Sequence, residues 1–271
     1  EISACLVGSE MCIRDSGALF ACGLAAEGMK PYIAIYSTFM QRCIDMIQHD
    51  AALQKLPVRF CMDRAGLSPD DGPTHHGLFD IAMIRSIPNI VFMQPKDEAE
   101  FVHMLRTMNH YQNGPTVIRY PRGCGAGVPL PSTPEILPIG KAEVLQTGKD
   151  VTLVSLGTMI GIARETAALL EAQGHTVTLI NARFIKPLDD ECIRRHAASS
   201  RVVCTFEDHS ISGGFNSAVL ESLEAGGVTT PVEAIAWPDQ FIEHGSEPIL
   251  RKKYGLTAEA ALQKIIPHLN S

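Results

Sequence analysis

Basic residues are in short supply here: 23 Lys and Arg stand against 30 Asp and Glu, giving a formal charge of −7 and a pI near 5.8. That balance argues against a nucleic-acid partner, whose binding surface would show clustered Lys and Arg. No Cys-x-x-Cys pair occurs among the eight cysteines, and several of them sit inside apolar runs. Neither a zinc site nor a disulfide framework is therefore expected, and a reducing, cytoplasmic setting fits best. No apolar run approaches the ~18 residues of a membrane span, and no secretory signal is visible, so no membrane partner is expected. Short-period repeats are also missing. What remains, 45% hydrophobic and 20% charged residues over 271 positions, suits one large or two ordinary globular domains.

From Gly17 onward the pattern is regular. A small-residue helix ends near Gly28, a strand covers Tyr32 to Tyr36, and a helix opens at Ser37 or Thr38, with Phe39, Met40, Cys43, Ile44 and Ile47 at the spacing of one buried face. Strand-like runs follow at Val58 to Met62, Ile90 to Met93 and Thr116 to Tyr120, separated by helix-like segments near 78–86 and 97–109. Between Gly123 and Pro138 the composition turns to glycine and proline, which suit neither helix interiors nor central strands. The alternation then restarts, with strands at Val151 to Leu156, Thr176 to Ile180, Arg201 to Phe206 and Val232 to Ala236, and helices near 158–173, 189–198, 214–225 and 257–268. Strand alternating with helix implies α/β architecture, here two α/β domains with mostly parallel sheets.

The densest chemistry lies in Met62-Asp63-Arg64-Ala65-Gly66-Leu67-Ser68-Pro69-Asp70-Asp71-Gly72-Pro73-Thr74-His75-His76-Gly77. It reads as a loop at the carboxyl end of a strand, the edge of an open α/β sheet where ligands sit. His75 and His76 can move protons near neutral pH, and Asp70 or Asp71 can fix an imidazole or hold a substrate hydroxyl. Gly66, Gly72 and Gly77 let the backbone approach a ligand. A plain turn at Pro69-Asp70-Asp71-Gly72 is the competing reading.

Tyr36-Ser-Thr-Phe-Met-Gln-Arg42 lies where a strand passes into a helix. Tyr36 and Phe39 could stack on a flat heterocycle and Arg42 could fork onto an anion, or Phe39 could be core and Arg42 solvated; spacing does not decide. Arg119-Tyr-Pro-Arg-Gly123 closes the last strand of the first domain. Arg42, Arg64 and Arg122 together point to an anionic substrate. Ser212-Gly-Gly-Phe-Asn216 could cradle phosphate at a helix start but reads more simply as a tight turn, and Glu207-Asp208-His209 reads as a polar loop.

Tyr36-Ser-Thr-Phe-Met-Gln-Arg42, Asp63-Arg-Ala-Gly66, Asp71-Gly-Pro-Thr-His-His-Gly77 and Tyr120-Pro-Arg-Gly123 closely resemble the 1-deoxy-D-xylulose 5-phosphate synthases, thiamine-diphosphate enzymes of the transketolase superfamily. Ala182-Arg-Phe-Ile-Lys-Pro-Leu188 and Pro238-Asp-Gln-Phe-Ile-Glu-His-Gly245 resemble the same family. The resemblance implies a pyrimidine-binding domain over 17–122, a linker over 123–140 and a transketolase C-terminal domain over 141–271. It further implies a homodimer that condenses pyruvate, with decarboxylation, and glyceraldehyde 3-phosphate. Phe39, with Tyr36 beside it, would then bind the cofactor's aminopyrimidine, Arg42 and Arg122 the acceptor phosphate, and Arg64 the substrate. His75 and Asp71 would be catalytic, with His75 assisting proton transfer.

Two departures from the family pattern stand out. The position of the family glutamate that protonates the pyrimidine ring is Arg14, and arginine stays protonated. Nothing matches the family's diphosphate domain, whose Gly-Asp-Gly run and downstream Asn bind Mg²⁺ and the diphosphate. Residues 1–16, which lack a starting Met and a clean period, are expected to be non-native read-through of a sequencing adapter. The expectation is therefore an inactive fragment holding the last two thirds of such an enzyme. The alternatives are a β-type subunit of a 2-oxo-acid dehydrogenase E1 or split transketolase, and a non-catalytic paralogue.

Overall fold

The computed structural model describes residues 2–270, with side chains over 14–270. Most of the 1–16 segment thus lies outside the described side chains. Helix α1 (Ile2–Ala26) leads into β1 (Tyr32–Tyr36). The single helix expected after Ser37 is divided into α2 (Ser37–Met40), a 3₁₀ turn (Gln41–Cys43) and a π-helical stretch (Met46–Ala52). The wider turn keeps Met40, Cys43, Ile47 and Ala51 on one fully buried face. Phe39 leaves that face and stays half-buried at the rim.

Strands β2 (Arg59–Asp63), β3 (Val91–Met93) and β4 (Thr116–Arg119) alternate with α3 (Asp80–Arg85) and α4 (Glu98–His110). All three strands are buried along almost their whole length, as expected of parallel strands covered on both faces. Arg59 is buried too, because its guanidinium donates to the carbonyls of Met108 and Tyr111 at the end of α4.

The second half contains β5 (Glu143–Gln146), β6 (Val151–Ser155), α5 (Ile160–Glu171), β7 (Val177–Asn181), β8 (Phe184–Lys186), α6 (Asp190–Ala198), β9 (Val202–Ser210), α7 (Phe215–Ala225), β10 (Val232–Trp237), α8 (Glu247–Tyr254) and α9 (Ala258–Leu269). The first sheet has the order β1-β2-β4-β3-β8 and the second β10-β9-β6-β7-β5. Both are parallel except at one edge, where β8 runs antiparallel to β3 and β5 antiparallel to β7. Strand β8 comes from the second half of the chain yet completes the first sheet. Among the described residues no helix is long and apolar enough to cross a membrane.

Register decides what meets at the site. Tyr36 pairs with Asp63 across β1 and β2, and Met62 with Arg119 across β2 and β4. Three neighbouring strands therefore end at one level, and the segments carrying Tyr36 and Phe39, Arg64 to Gly77, and Tyr120 to Arg122 leave the sheet side by side.

Candidate active site

At that edge, the rings of Tyr36 and Phe39 stack with centroids 5.5 Å apart, and the His75 imidazole meets Phe39 edge-on at 5.2 Å. The Arg64 guanidinium lies 4.1 Å over Tyr36 and donates to Asp71 at 2.5 Å. Arg122 donates to the same Asp71 oxygen at 3.1 Å and pairs with Asp70 at 3.3 Å. Six of the seven expected residues thus form one unbroken chain of contacts, His75–Phe39–Tyr36–Arg64–Asp71–Arg122. Arg42 stands apart, exposed on the turn after Phe39 and without an ion pair among the described residues.

Two guanidiniums sharing one carboxylate make a site poised for an anion. Asp71 holds both arginines in place, and an incoming phosphate would compete for the same N–H groups. The neck of the loop is closed by reciprocal backbone hydrogen bonds between Gly66 and Gly77. Gly66 has φ +84° and lies so close to the Asp208 carboxylate that a Cβ would overlap it. His76 points the other way from His75. It is 4% exposed, its Nδ1 accepts from the Ser68 amide at 3.0 Å, and burial lowers its pKa. Its role is to shape the loop rather than to meet a ligand.

The Tyr36–Phe39 shelf has the form needed by a flat heterocycle, but its charge is wrong for the aminopyrimidine implied by the resemblance. The Arg14 guanidinium lies 3.8 Å from the centre of the Phe39 ring. It covers one ring face with a cation where the resemblance implies an acid. Among the described residues no group of three His, Cys, Asp or Glu side chains is placed to hold a metal. The residues as they stand do not fit the whole cofactor.

Behind the rim lies a buried polar layer that sequence reading did not foresee. Arg119, the last residue of β4, is 0% exposed and donates to Asp80 (3.0 Å), Gln94 (2.6 Å) and the carbonyls of Gly77 and Asp208. Ser37 also donates to Asp80. Glu207, Asp208 and His209, read from sequence as a loop, belong to β9 and are buried. Glu207 accepts from the amides of Phe215 and Asn216 at the start of α7, so the phosphate cradle suggested by Ser212-Gly-Gly-Phe-Asn216 is filled by the protein's own carboxylate. Burial pushes the Glu207 carboxyl up to about 8 and the His209 imidazole down to about 4. His209 accepts from the Ala82 amide and donates to the Ser210 carbonyl, as a neutral imidazole does. A signal was present in the sequence: three ionisable residues directly continuing the apolar run Val202 to Phe206.

Comparison with known proteins identifies the family of both domains. The transketolase pyrimidine binding domain model matches residues 11–126, and the transketolase C-terminal domain model matches 140–260. The 1-deoxy-D-xylulose-5-phosphate synthase of Methylacidiphilum infernorum is 53% identical over 261 residues, covering 95% of this chain and 41% of the relative. That of Acidobacterium capsulatum is 52% identical over 257 residues, covering 94% and 41%. A solved structure titled split gene transketolase, inactive beta4 tetramer, superposes with a TM-score of 0.83 at 31% identity, covering 95% of this chain and 81% of that one. The chain spans 41% of the length of these two curated relatives.

Proposed function

This chain belongs to the transketolase family, and from that premise we propose that it supplies the pyrimidine-binding and C-terminal domains of a 1-deoxy-D-xylulose 5-phosphate synthase. The activity is the condensation of pyruvate, with loss of CO₂, and D-glyceraldehyde 3-phosphate, feeding isoprenoid, thiamine and pyridoxal synthesis in the cytoplasm. The observation that carries the proposal is the contiguous rim from His75 to Arg122, which joins a ring shelf to an anion trap. Arg64 and Arg122 receive the acceptor phosphate, with Arg42 approaching from the neighbouring turn. Asp71 keeps the two guanidiniums apart and aimed. His75, at the edge of Phe39, handles a proton on the reacting carbonyl or hydroxyl. Thiamine diphosphate and Mg²⁺ belong to the complete activity, with the diphosphate and metal held by protein outside these two domains.

The test replaces the matching segment of the M. infernorum relative with residues 17–271 of this chain. The chimera should condense pyruvate with glyceraldehyde 3-phosphate. His75→Ala should lower its kcat by about 10²–10⁴-fold, the usual worth of a positioned acid or base. The unaltered chain, titrated with thiamine diphosphate and Mg²⁺, should show no micromolar binding. A chimera that binds the cofactor yet forms no condensation product would refute the proposal.

The likeness to a split-gene transketolase favours a second reading, a separately encoded subunit that borrows its diphosphate site from a partner chain. An upstream gene for that partner, and an acid near the natural start of this chain, would distinguish it.

The outer face of α1 supports a homodimer. Leu19 is 45% and Phe20 69% exposed there, and a Cβ added at Gly23 would meet nothing within 4 Å. Exposed apolar side chains grouped on one helix face suit a self-complementary contact. Sedimentation velocity should give a dimer or larger species at about 10 µM, a concentration that populates any dimer of micromolar or tighter Kd. L19D/F20D should sediment as a monomer.

A further inference from the structure

Loop 64–77 carries Arg64, Asp71 and His75, yet much of what holds it beyond its neck comes from the second domain. The Leu67 amide donates to Asp208 Oδ2 at 3.3 Å, and Gly66 packs directly on that carboxylate. Asp208 is itself fixed by the Trp237 indole N–H, which donates to Oδ1 at 2.6 Å, and by the Arg251 guanidinium at 3.6 Å from Oδ2. At the tip of the loop, His244 Nε2 donates to the Asp70 carbonyl at 3.3 Å, with its ring against Gly72. At the far end, His76 Nε2 reaches the Glu243 carbonyl at 3.5 Å.

We infer that Asp208 is a positioning residue: from β9 of the second domain it fixes the entry of loop 64–77, so that Asp71 and His75 arrive at the rim of the first sheet. The chemistry of the carboxylate explains the choice. Its two oxygens accept from two separate N–H donors in opposite directions and face a guanidinium as well. Asparagine has the same outline but offers one acceptor and one donor, so it must turn an N–H toward either the indole or the Leu67 amide. His244 is a lesser hold at the tip. The inference rests on the proposed function only for the loop's catalytic meaning; the order of the loop is measured without turnover.

Asp208→Asn in the full chain is the test, read by amide hydrogen exchange and by the His75 ring-proton resonances, which the Phe39 ring current displaces. Amides between Leu67 and His76 should exchange about tenfold faster, as for a local opening made about 1.4 kcal/mol easier. Those of Leu153 and Val203 in the second sheet should be unchanged, and the His75 resonances should move toward free-imidazole positions. His244→Ala, a change at an exposed side chain, should loosen only residues near 70–75. An undisturbed loop in D208N, or acceleration spread evenly over the second sheet with unmoved His75 resonances, would overturn the inference. Such a failure leaves the condensation chemistry untouched, and a chimera without condensation activity leaves the loop result untouched.

Discussion

Arg119→Met is expected to lower the stability of the chain by about 3–5 kcal/mol, the usual cost of removing one partner from a buried ion pair. The side chain is fully buried, and its departure leaves Asp80, itself 1% exposed, without its cationic partner and held by the Ser37 hydroxyl and the Ile81 amide. It also takes a donor from the carbonyls of Gly77 and Asp208, which belong to different domains and share one guanidinium nitrogen, although Gly77 keeps the Gly66 amide. Set against the 5–15 kcal/mol total of an ordinary domain, this loss is large. Urea unfolding at fixed pH measures it. The double variant R119M/D80N should lose less than the two single changes added together, because each single change already breaks the shared pair. A loss below about 1 kcal/mol for R119M would mean that water satisfies the layer and that the network has little cohesive role.

The second large effect is a dependence of stability on pH with Glu207 at its source. Its folded carboxyl titrates at about 8, above its ordinary 4.5, so between those values the folded chain holds a proton that the unfolded chain has released. Stability from this group is present at low pH and lost as pH rises toward 8. His209 acts in the opposite sense. Its folded value near 4 lies below its ordinary 6.5, so stability rises with pH across that interval. The two slopes oppose one another between 4.5 and 6.5, which leaves a plateau. Above 6.5 only the Glu207 slope remains, no steeper than about 1.4 kcal/mol per pH unit for one proton. Denaturant unfolding should therefore show a decline of up to about 2 kcal/mol between pH 6.5 and 8, a bound that follows from the same one-proton slope. Glu207→Gln should remove this decline. A flat profile would mean that the amides of Phe215 and Asn216 keep the carboxylate ionised.

The central parallel strands were legible in the sequence because they are short apolar runs buried on both sides. The edge strands β5 and β8 were not. They are four and three residues long, and their antiparallel pairing depends on neighbours that lie far away in sequence. Helix α8 was missed because its segment, Glu-Pro-Ile-Leu-Arg-Lys-Lys-Tyr, is mostly polar and buries only Leu250. Its stop signal, Gly255 at φ +75°, was there to be read.

The rim itself was visible because residue chemistry clusters locally: Arg64, Asp71 and His75 fall within one loop, and Tyr36 and Phe39 on one turn. The support beneath it was hidden for a physical reason. A charged residue reads as solvent-exposed until its compensating partner is known, and the amide of Leu67 that meets Asp208 is 141 positions away. Asp71 shows the converse case. Its presence was evident, but its sharing by two arginines depends on strand order, which brings β4 beside β2.

Strand β8 carries an implication for how the molecule is made. Its three residues close the β3 side of a sheet whose other strands have all been translated by Arg119. During synthesis that border of the first sheet therefore stays bare until Lys186 has left the ribosome, tens of residues after the glycine- and proline-rich stretch that looks like a natural place to cut. A gene split within 123–140 would separate an unfinished sheet from its own last strand, so the two halves are made as successive instalments of one folding event.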